Sequence, residues 1–166
     1  MGRIPTIAEA ARDMAAGTLS PVALAEQCLA RVAAHDGRLH AFITQTPDRA
    51  LADARAAEAE IKAGRHRGPL HGIPFAHKDI YETAGVRTTA HSRLLEDYVP
   101  KADAFTVARL AAAGVTHLGK LATHEFAWGG PSFDLPWPPV RNPWNTDHFT
   151  GGSSSGTGAA VASGMM

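Results

Sequence analysis

Apolar and polar residues along much of the first 64 positions follow the spacing of α-helices. Thr6 is suited to cap a first helix, which Gly17 would end. Ser20 followed by Pro21 is typical of the start of a second helix, because the serine hydroxyl accepts a backbone N–H and proline suits the first helical position. Apolar side chains then return at helical spacing through residues 22–32. The pattern therefore predicts two helices that open the chain.

A third helix is predicted from Pro47 to Gly64, after a short apolar strand candidate at 41–44. Beyond Gly64 the character of the chain changes, because short apolar runs between glycines and prolines replace the helical spacing. We therefore divide the chain into a helical N-terminal segment, 1–66, and an α/β part, 67–166. Apart from the strand candidate, we expect the first segment to be all-helical.

The second part predicts strands that alternate with a helix. Residues 72–79 form a strand candidate that delivers Lys78 at its end, and residues 115–118 form another. A helix predicted over 102–113, with Gly114 as its cap, leads into the latter strand. A helix followed by glycine and a buried strand is typical of a parallel sheet covered by helices. The remaining expectations are a proline-rich loop at 129–143 and a small-residue helix at 157–163.

Composition places the chain among soluble globular proteins and removes several classes of function. Hydrophobic residues make up 45% and charged residues 19%, and 16 basic residues balance 16 acidic ones. Without a basic stripe, the chain lacks the surface of a nucleic-acid binder. The nine histidines show no metal-ligand spacing, and the single Cys28, a core residue by its helical pattern, fits a reducing compartment. No apolar run suits a signal peptide or a membrane span, so we expect a cytoplasmic protein.

One lysine follows an apolar strand candidate. Lys78 lies between apolar Ala76 and Ile80, where burial would lower its pKa and let the neutral amine act as a base. The plainer interpretation is an ion pair with its neighbour Asp79 or with another acid. Taken alone, the residues around Lys78 favour the ion pair.

A run of serines between glycines, at 151–156, leads into the last predicted helix. Its N–H groups and hydroxyls favour an anion-binding turn or a helix cap, which is the plainer interpretation. A phosphate-binding loop is excluded because no lysine follows Gly156. Residues 152–156 also match the G-x-S-x-G turn of lipases, which would need a later Asp and His. The run alone leaves these alternatives open.

Three blocks in a fixed order give the lysine and the serines a common context. They are G-I-P-x-x-x-K-D at 72–79, G-K-x-x-x-x-E-F-A at 119–127, and R-N-P-W at 141–144 leading to G-G-S-S-x-G at 151–156. Together they resemble the amidase signature family over about residues 69–166. The resemblance implies an α/β fold, of which this chain forms the N-terminal part, with a mixed sheet covered by helices.

The family uses a Ser–cis-Ser–Lys arrangement, and the resemblance implies a role for each matching residue. Lys78 matches the general base. Ser153 matches the bridging serine, joined to Gly152 by a cis peptide, and Ser154 matches the second serine, which helps to hold the network. In the family the nucleophilic serine and its oxyanion amides lie further along, beyond Met166, so we expect the chain alone to be inactive.

The segment after the second block is the expected substrate region. Gly129 and Gly130 are expected to line the substrate cavity of the complete enzyme, although a plain turn is nearly as good an interpretation. Trp128 is expected to shape an acyl pocket, although aromatic residues beside prolines commonly serve packing alone. His77 should face the opposite side of its strand from Lys78, so we assign it no catalytic role.

These observations predict a hydrolase that cleaves small-molecule carboxylic amides through a serine acyl-enzyme, without metal or cofactor. We expect no direct nucleic-acid partner and no membrane, and a homodimer is allowed. A second interpretation is the ammonia-supplying A-subunit of a glutamyl- or aspartyl-tRNA amidotransferase. The SSSGTG stretch and the FDLPWPP loop argue against it. A third interpretation is a truncated fragment that has no catalysis of its own.

Overall fold

The predicted capping signals set where the first helices begin. In the computed structural model, which describes residues 3–166, Thr6 accepts the N–H of Glu9, and the Glu9 carboxylate accepts the N–H of Thr6. Ser20 accepts the N–H of Ala23 at 3.1 Å. Each cap satisfies backbone donors that the first helical turn leaves unpaired. Within residues 3–166, five helices, α1 to α5 in chain order, span Ile7–Ala15, Pro21–Leu39, Pro47–Lys62, Phe105–Ala112 and Ser155–Ala162.

In the described part of the chain, three strands form the central sheet, and its mixed character confirms the predicted fold class. Strand β3 lies in the middle, antiparallel to β1 and parallel to β2. Strands β4 and β5 form a separate antiparallel hairpin. The strands β1 to β5 span Phe42–Gln45, Pro74–Lys78, Thr116–Leu121, Arg141–Asn142 and Asn145–Phe149, and short 3-10 helices cover Arg93–Leu95 and Glu125–Ala127.

The structure confirms one detail of the sequence analysis and corrects two. The strand candidate at 41–44 is present as β1, which pairs with β3 of the other part; the division of the chain at residue 66 stays a prediction. The hairpin of β4 and β5 begins inside the predicted loop. Helix α4 begins later than predicted, because Asp103 accepts the N–H of Ala84 at 2.7 Å and Ala104 donates to the carbonyl of Glu82. Those bonds hold the expected first turn against a neighbouring loop.

The core is built around β3, which is buried at all six of its positions. Helices α2, α3 and α5 all contact this strand. Cys28 on α2 is buried in the same core, and burial raises the pKa of its thiol to about 11. The thiol is therefore uncharged at neutral pH, which suits the predicted packing role rather than a nucleophile.

Two buried histidines stack between neighbouring strands. The rings of His77 on β2 and His117 on β3 lie 5.1 Å apart, centroid to centroid, at an interplanar angle of 28°. Burial lowers the pKa of His77 to about 4 and that of His117 to about 3, and the charge of Lys120 acts in the same direction. Both imidazoles are therefore neutral at pH 7.

These histidines should make the fold sensitive to acid. An unfolded histidine has a pKa of about 6.5, so between that pH and about 3 the unfolded chain binds more protons than the folded one. The free energy of unfolding should therefore fall as pH drops from 6.5, by up to about 1.4 kcal/mol per pH unit for each histidine. Urea unfolding of the full-length protein as a function of pH measures this slope.

The variant His117→Gln should flatten that slope, even though it also lowers stability at neutral pH. His148→Gln, which replaces an exposed histidine on β5, is the matched control and should leave the slope as it is. Equal slopes for all three proteins between pH 4 and 6.5 would contradict the prediction.

Candidate active site

The structure brings together two of the predicted catalytic residues from distant parts of the chain. Lys78 is the last residue of β2, and Ser153 lies in the loop that precedes α5. The amine Nζ of Lys78 donates a hydrogen bond of 2.7 Å to the Ser153 hydroxyl across 75 residues of sequence. This contact joins a basic nitrogen to a hydroxyl that can both accept and donate a proton.

The surroundings of Lys78 favour its neutral form. Its side chain is half-buried, and burial lowers its pKa. The plainer interpretation, an ion pair with Asp79, is wrong, because the carboxylate of Asp79 pairs with Lys120 instead. Because Asp79 does not pair with Lys78, its charge does not offset the effect of burial on the pKa of the Lys78 amine.

Asp79 and Lys120 form an ion pair completely withdrawn from water. Oδ1 of Asp79 accepts no well-aligned hydrogen bond but lies 3.3 Å from Nζ of Lys120, and both side chains are 0% exposed. The same Nζ donates to the Tyr81 carbonyl and the Thr88 hydroxyl. Oδ2 of Asp79 accepts the N–H and the hydroxyl of Thr89 at 2.9 and 2.6 Å. Burial lowers the pKa of Lys120, and the Asp79 carboxylate opposes that effect.

This network fixes the chain where it leaves β2. The N–H of Asp79 donates to the Leu121 carbonyl at 2.8 Å, and the carbonyl of Asp79 accepts the N–H of Ala90 at 2.8 Å. The residue that follows Lys78 is thus held through its N–H, its carbonyl and its side chain. These bonds therefore fix the path of the backbone directly after Lys78.

Residues 151–154, here called the serine loop, are held by the segment that follows β3. The Gly152–Ser153 peptide is cis. The N–H of His124 donates to the Ser153 carbonyl at 3.0 Å, and the N–H of Gly156 donates to the Ala122 carbonyl at 2.9 Å. A side chain at position 156 would overlap the backbone of Ala122, so glycine is required there.

An open, mostly apolar groove of about 610 Å³ runs beside β2. Its walls come from α1, α2, β2, α4 and α5, and both Lys78 and Ser154 lie in them. Ser154 precedes α5 but does not cap it with its side chain. Of the hydrogen-bonded pair, Lys78 lines the groove, whereas Ser153 is not among its lining residues.

The three predicted substrate residues lie elsewhere. Trp128 is 85% exposed, and Gly129 and Gly130 are exposed beside it. Among the described residues that line the groove, none of the three occurs. Gly129 instead presents its carbonyl to Nδ1 of His124 at 2.8 Å. A role for these residues in substrate binding stays a prediction.

Sequence reasoning missed the residues that hold the site in place. Lys120 lies in the second sequence block, yet that block does not say which acid it pairs with. Thr89 lies in a stretch without periodicity and gave no signal. His124 is marked only by its place in the same block, two residues before Phe126.

Two further properties concern residues 3–166 alone. No group of three or more His, Cys, Asp or Glu side chains in that range is placed to hold a metal ion. No helix in the same range is both long and apolar enough to cross a membrane.

The family model described as Amidase matches residues 23–166. The chain belongs to the amidase family. This membership confirms the resemblance found in the three sequence blocks and places the contact between Lys78 and Ser153 in a family context. It applies to both segments of the chain, since the matched range begins in α2.

Curated relatives of this amidase-family chain include tRNA amidotransferase proteins. It is 50% identical to the A-subunit of glutamyl-tRNA(Gln) amidotransferase from Azotobacter vinelandii, over 97% of this chain and 33% of the relative. It is 47% identical to the protein of the same name from Anaeromyxobacter sp. (strain K), over 95% of this chain and 32% of the relative. The chain therefore spans about a third of the length of these curated relatives.

Solved structures show the same fold. The native peptide amidase from Stenotrophomonas maltophilia superimposes with a TM-score of 0.87 and 38% identity, over 96% of this chain and 34% of that one. A fatty acid amide hydrolase gives a TM-score of 0.91 and 25% identity, over 98% and 29%. The α/β fold with helices around a mixed sheet is thus shared with amidases whose sequences have diverged.

The buried ion pair of this amidase-family chain should be costly to break. Replacing Asp79→Ala leaves the Lys120 charge buried without its partner, so we expect the full-length protein to lose about 3–5 kcal/mol of unfolding free energy. Equilibrium unfolding in urea measures the loss.

The double variant Asp79→Ala with Lys120→Met is the matched control. It removes both charges and should be less destabilised than the single variant, because no uncompensated ion remains. A single variant within about 1 kcal/mol of the wild type, or a double variant that is worse than the single one, would contradict this account.

Proposed function

We propose that the full-length protein containing this chain hydrolyses carboxylic amides through a serine acyl-enzyme, with Lys78 as the general base and Ser153 as the proton relay. The observation that carries the proposal is the 2.7 Å hydrogen bond between the desolvated Lys78 amine and the Ser153 hydroxyl. Membership of the amidase family supports it. A neutral amine bonded to a hydroxyl is a pathway for a proton in both directions.

The reaction needs a proton to leave and then to return. The nucleophilic serine, which the family resemblance puts about two dozen residues beyond Ser154, attacks the amide carbonyl carbon. Its proton passes to Ser153 Oγ as the Ser153 proton passes to Lys78 Nζ. The C–N bond breaks as the proton returns by the same path to the leaving nitrogen, which gives an ester on the nucleophile. Water then repeats the sequence and releases the acid.

The lowered pKa of Lys78 makes this assignment chemically sensible. A lysine in water is almost wholly protonated at neutral pH and has no lone pair to offer. Burial disfavours the ammonium form and raises the fraction of neutral amine. A general base works best when its pKa lies near the working pH, and the change here is in that direction.

We expect Lys78→Ala, Lys78→Arg and Ser153→Ala each to lower kcat/KM of the full-length protein at least about 100-fold, because each removes one member of the proton path. Arginine keeps the positive charge but cannot give up its proton, so this variant tests whether the reaction needs a neutral base or only a positive charge at position 78. Release of amine or ammonia from a panel of primary and peptide amides measures the rates.

Lys101→Ala, which removes an exposed lysine, is the control and should keep the wild-type rate. Hydrolysis by Lys78→Arg within tenfold of the wild type would show that Lys78 is not the base. That the chain of 166 residues has no activity by itself stays a prediction, as do a cytoplasmic location and a homodimer.

A second candidate function is that of the A-subunit of a glutamyl-tRNA amidotransferase, which would release ammonia from an amide for transfer. The 50% identity with the Azotobacter vinelandii protein of that name, over nearly the whole chain, favours it and weakens the sequence argument against it. The same pair, Lys78 and Ser153, would serve in either case.

Substrate and partner dependence separate the two candidates. If the protein is an amidase, the purified full-length chain should hydrolyse simple amides by itself. If it belongs to an amidotransferase, release of ammonia from glutamine should require the other amidotransferase subunits of the same organism. Glutamine hydrolysis that rises at least about tenfold when those subunits are added, with no simple amide cleaved, would favour the second candidate.

A further inference from the structure

His124 contacts the serine loop at two residues, Ser153 and Gly152, and it also contacts Gly129. Its backbone N–H donates to the carbonyl of Ser153 at 3.0 Å. Its imidazole lies directly against Gly152, since a Cβ added at that glycine would overlap the ring. Its Nδ1 lies 2.8 Å from the carbonyl of Gly129. One buried residue therefore connects the loop that carries Ser153 with the segment after β3.

A hydrogen bond to Gly129 orients the imidazole ring of His124. A carbonyl oxygen can only accept, so Nδ1 must donate to Gly129. Nε2 is buried and has no hydrogen-bond partner among the described residues. The bond from Nδ1 to Gly129 fixes the plane of the ring.

The residues on either side of the serine loop are anchored: the N–H of Thr150 donates to the Val140 carbonyl at 3.2 Å, and the hydroxyl of Ser155 donates to the Ala122 carbonyl at 3.4 Å. Gly151, Gly152 and Ser154 are exposed, and the two glycines bring no side chains to pack. Gly156, just beyond the loop, is tied to the Ala122 carbonyl. At the level of Ser153 itself, the anchors are the bond from the His124 N–H and the bond from Lys78. The His124 ring, which lies against Gly152 next to Ser153, therefore adds a restraint on where the Ser153 hydroxyl lies relative to Lys78.

We propose that His124 is a positioning residue for the proton relay: its ring, oriented by Gly129, forms the wall that holds Gly152 and Ser153 at hydrogen-bond distance from Lys78. This inference rests on the proposed function. It also gives the Gly129 segment a role that requires no contact with substrate. A displacement of about 1 Å in a relay can slow a reaction about 100-fold, so a wall of this kind affects turnover more than binding.

The test uses His124→Ala and His124→Asn in the full-length protein. Alanine removes both the ring and the donor, whereas asparagine carries an amide N–H the same number of bonds from Cα as Nδ1 and can still bond to Gly129. We expect His124→Ala to lower kcat about 10- to 100-fold with KM changed less than threefold, and His124→Asn to recover at least half of that loss on a logarithmic scale.

Amide hydrogen exchange gives a readout that does not depend on activity. Exchange in the peptide covering residues 150–158 should be faster in His124→Ala than in the wild type, and closer to the wild type in His124→Asn. The control is His117→Gln, since His117 is also buried but contacts Thr46 and His77 instead of the serine loop. It should leave both kcat and exchange in 150–158 unchanged, even if it lowers stability.

The outcomes separate this inference from the proposed function. If the wild type cleaves no amide but His124→Ala alone speeds exchange in 150–158, the proposed function fails and the positioning role stands. Wild-type kcat and exchange in His124→Ala would overturn the role of His124. Equal losses of kcat in His124→Ala and His124→Asn would also overturn it, because the bond to Gly129 would then not matter. An equal effect in His117→Gln would overturn it too, because the effect would then be general destabilisation.

Discussion

A lysine ammonium withdrawn from water needs a counter-charge and acceptors, because an isolated buried charge is costly. Lys120 finds them in the Asp79 carboxylate, the Tyr81 carbonyl and the Thr88 hydroxyl. All three partners follow β2 in the chain, so neutralising one charge on β3 fixes the path by which the chain leaves β2. Lys78 immediately precedes that path. Its position is set in large part by the ion pair of its neighbour.

The end of β3 serves both halves of the site. The Leu121 carbonyl accepts the N–H of Asp79 on the lysine side, and the Ala122 carbonyl accepts the N–H of Gly156 on the serine side. His124 then adds the bond to the Ser153 carbonyl. Anchors within four consecutive residues thus define the distance between a base and a hydroxyl that lie far apart in sequence. Sites supported in this way by regular elements hold their geometry more closely than sites on free loops.

Local signals were enough to predict where most helices begin and that Lys78 ends a strand. The cap at Ser20 and the strand–lysine pattern are decided by neighbours in sequence, so they are visible there. The partner of Lys120 was not predictable, because it depends on the register that places β2 beside β3. The hairpin of β4 and β5 was missed for a different reason: β5 is exposed almost throughout, so no alternation of apolar residues marks it. The ring of His124 contacts Gly152 and the Gly129 carbonyl, and contacts of this kind with glycines leave no pattern in the sequence.

Lys78 and Lys120 lie on adjacent parallel strands, and their environments separate their chemistry. Burial lowers the pKa of both. The Asp79 carboxylate, 3.3 Å away, opposes this for Lys120, whereas the hydroxyl of Ser153 offers Lys78 no charge. Asp79 is the first residue after β2, and its carboxylate pairs with Lys120 instead of Lys78. The acid that follows Lys78 in the chain therefore stabilises the ammonium form of Lys120 and not that of Lys78.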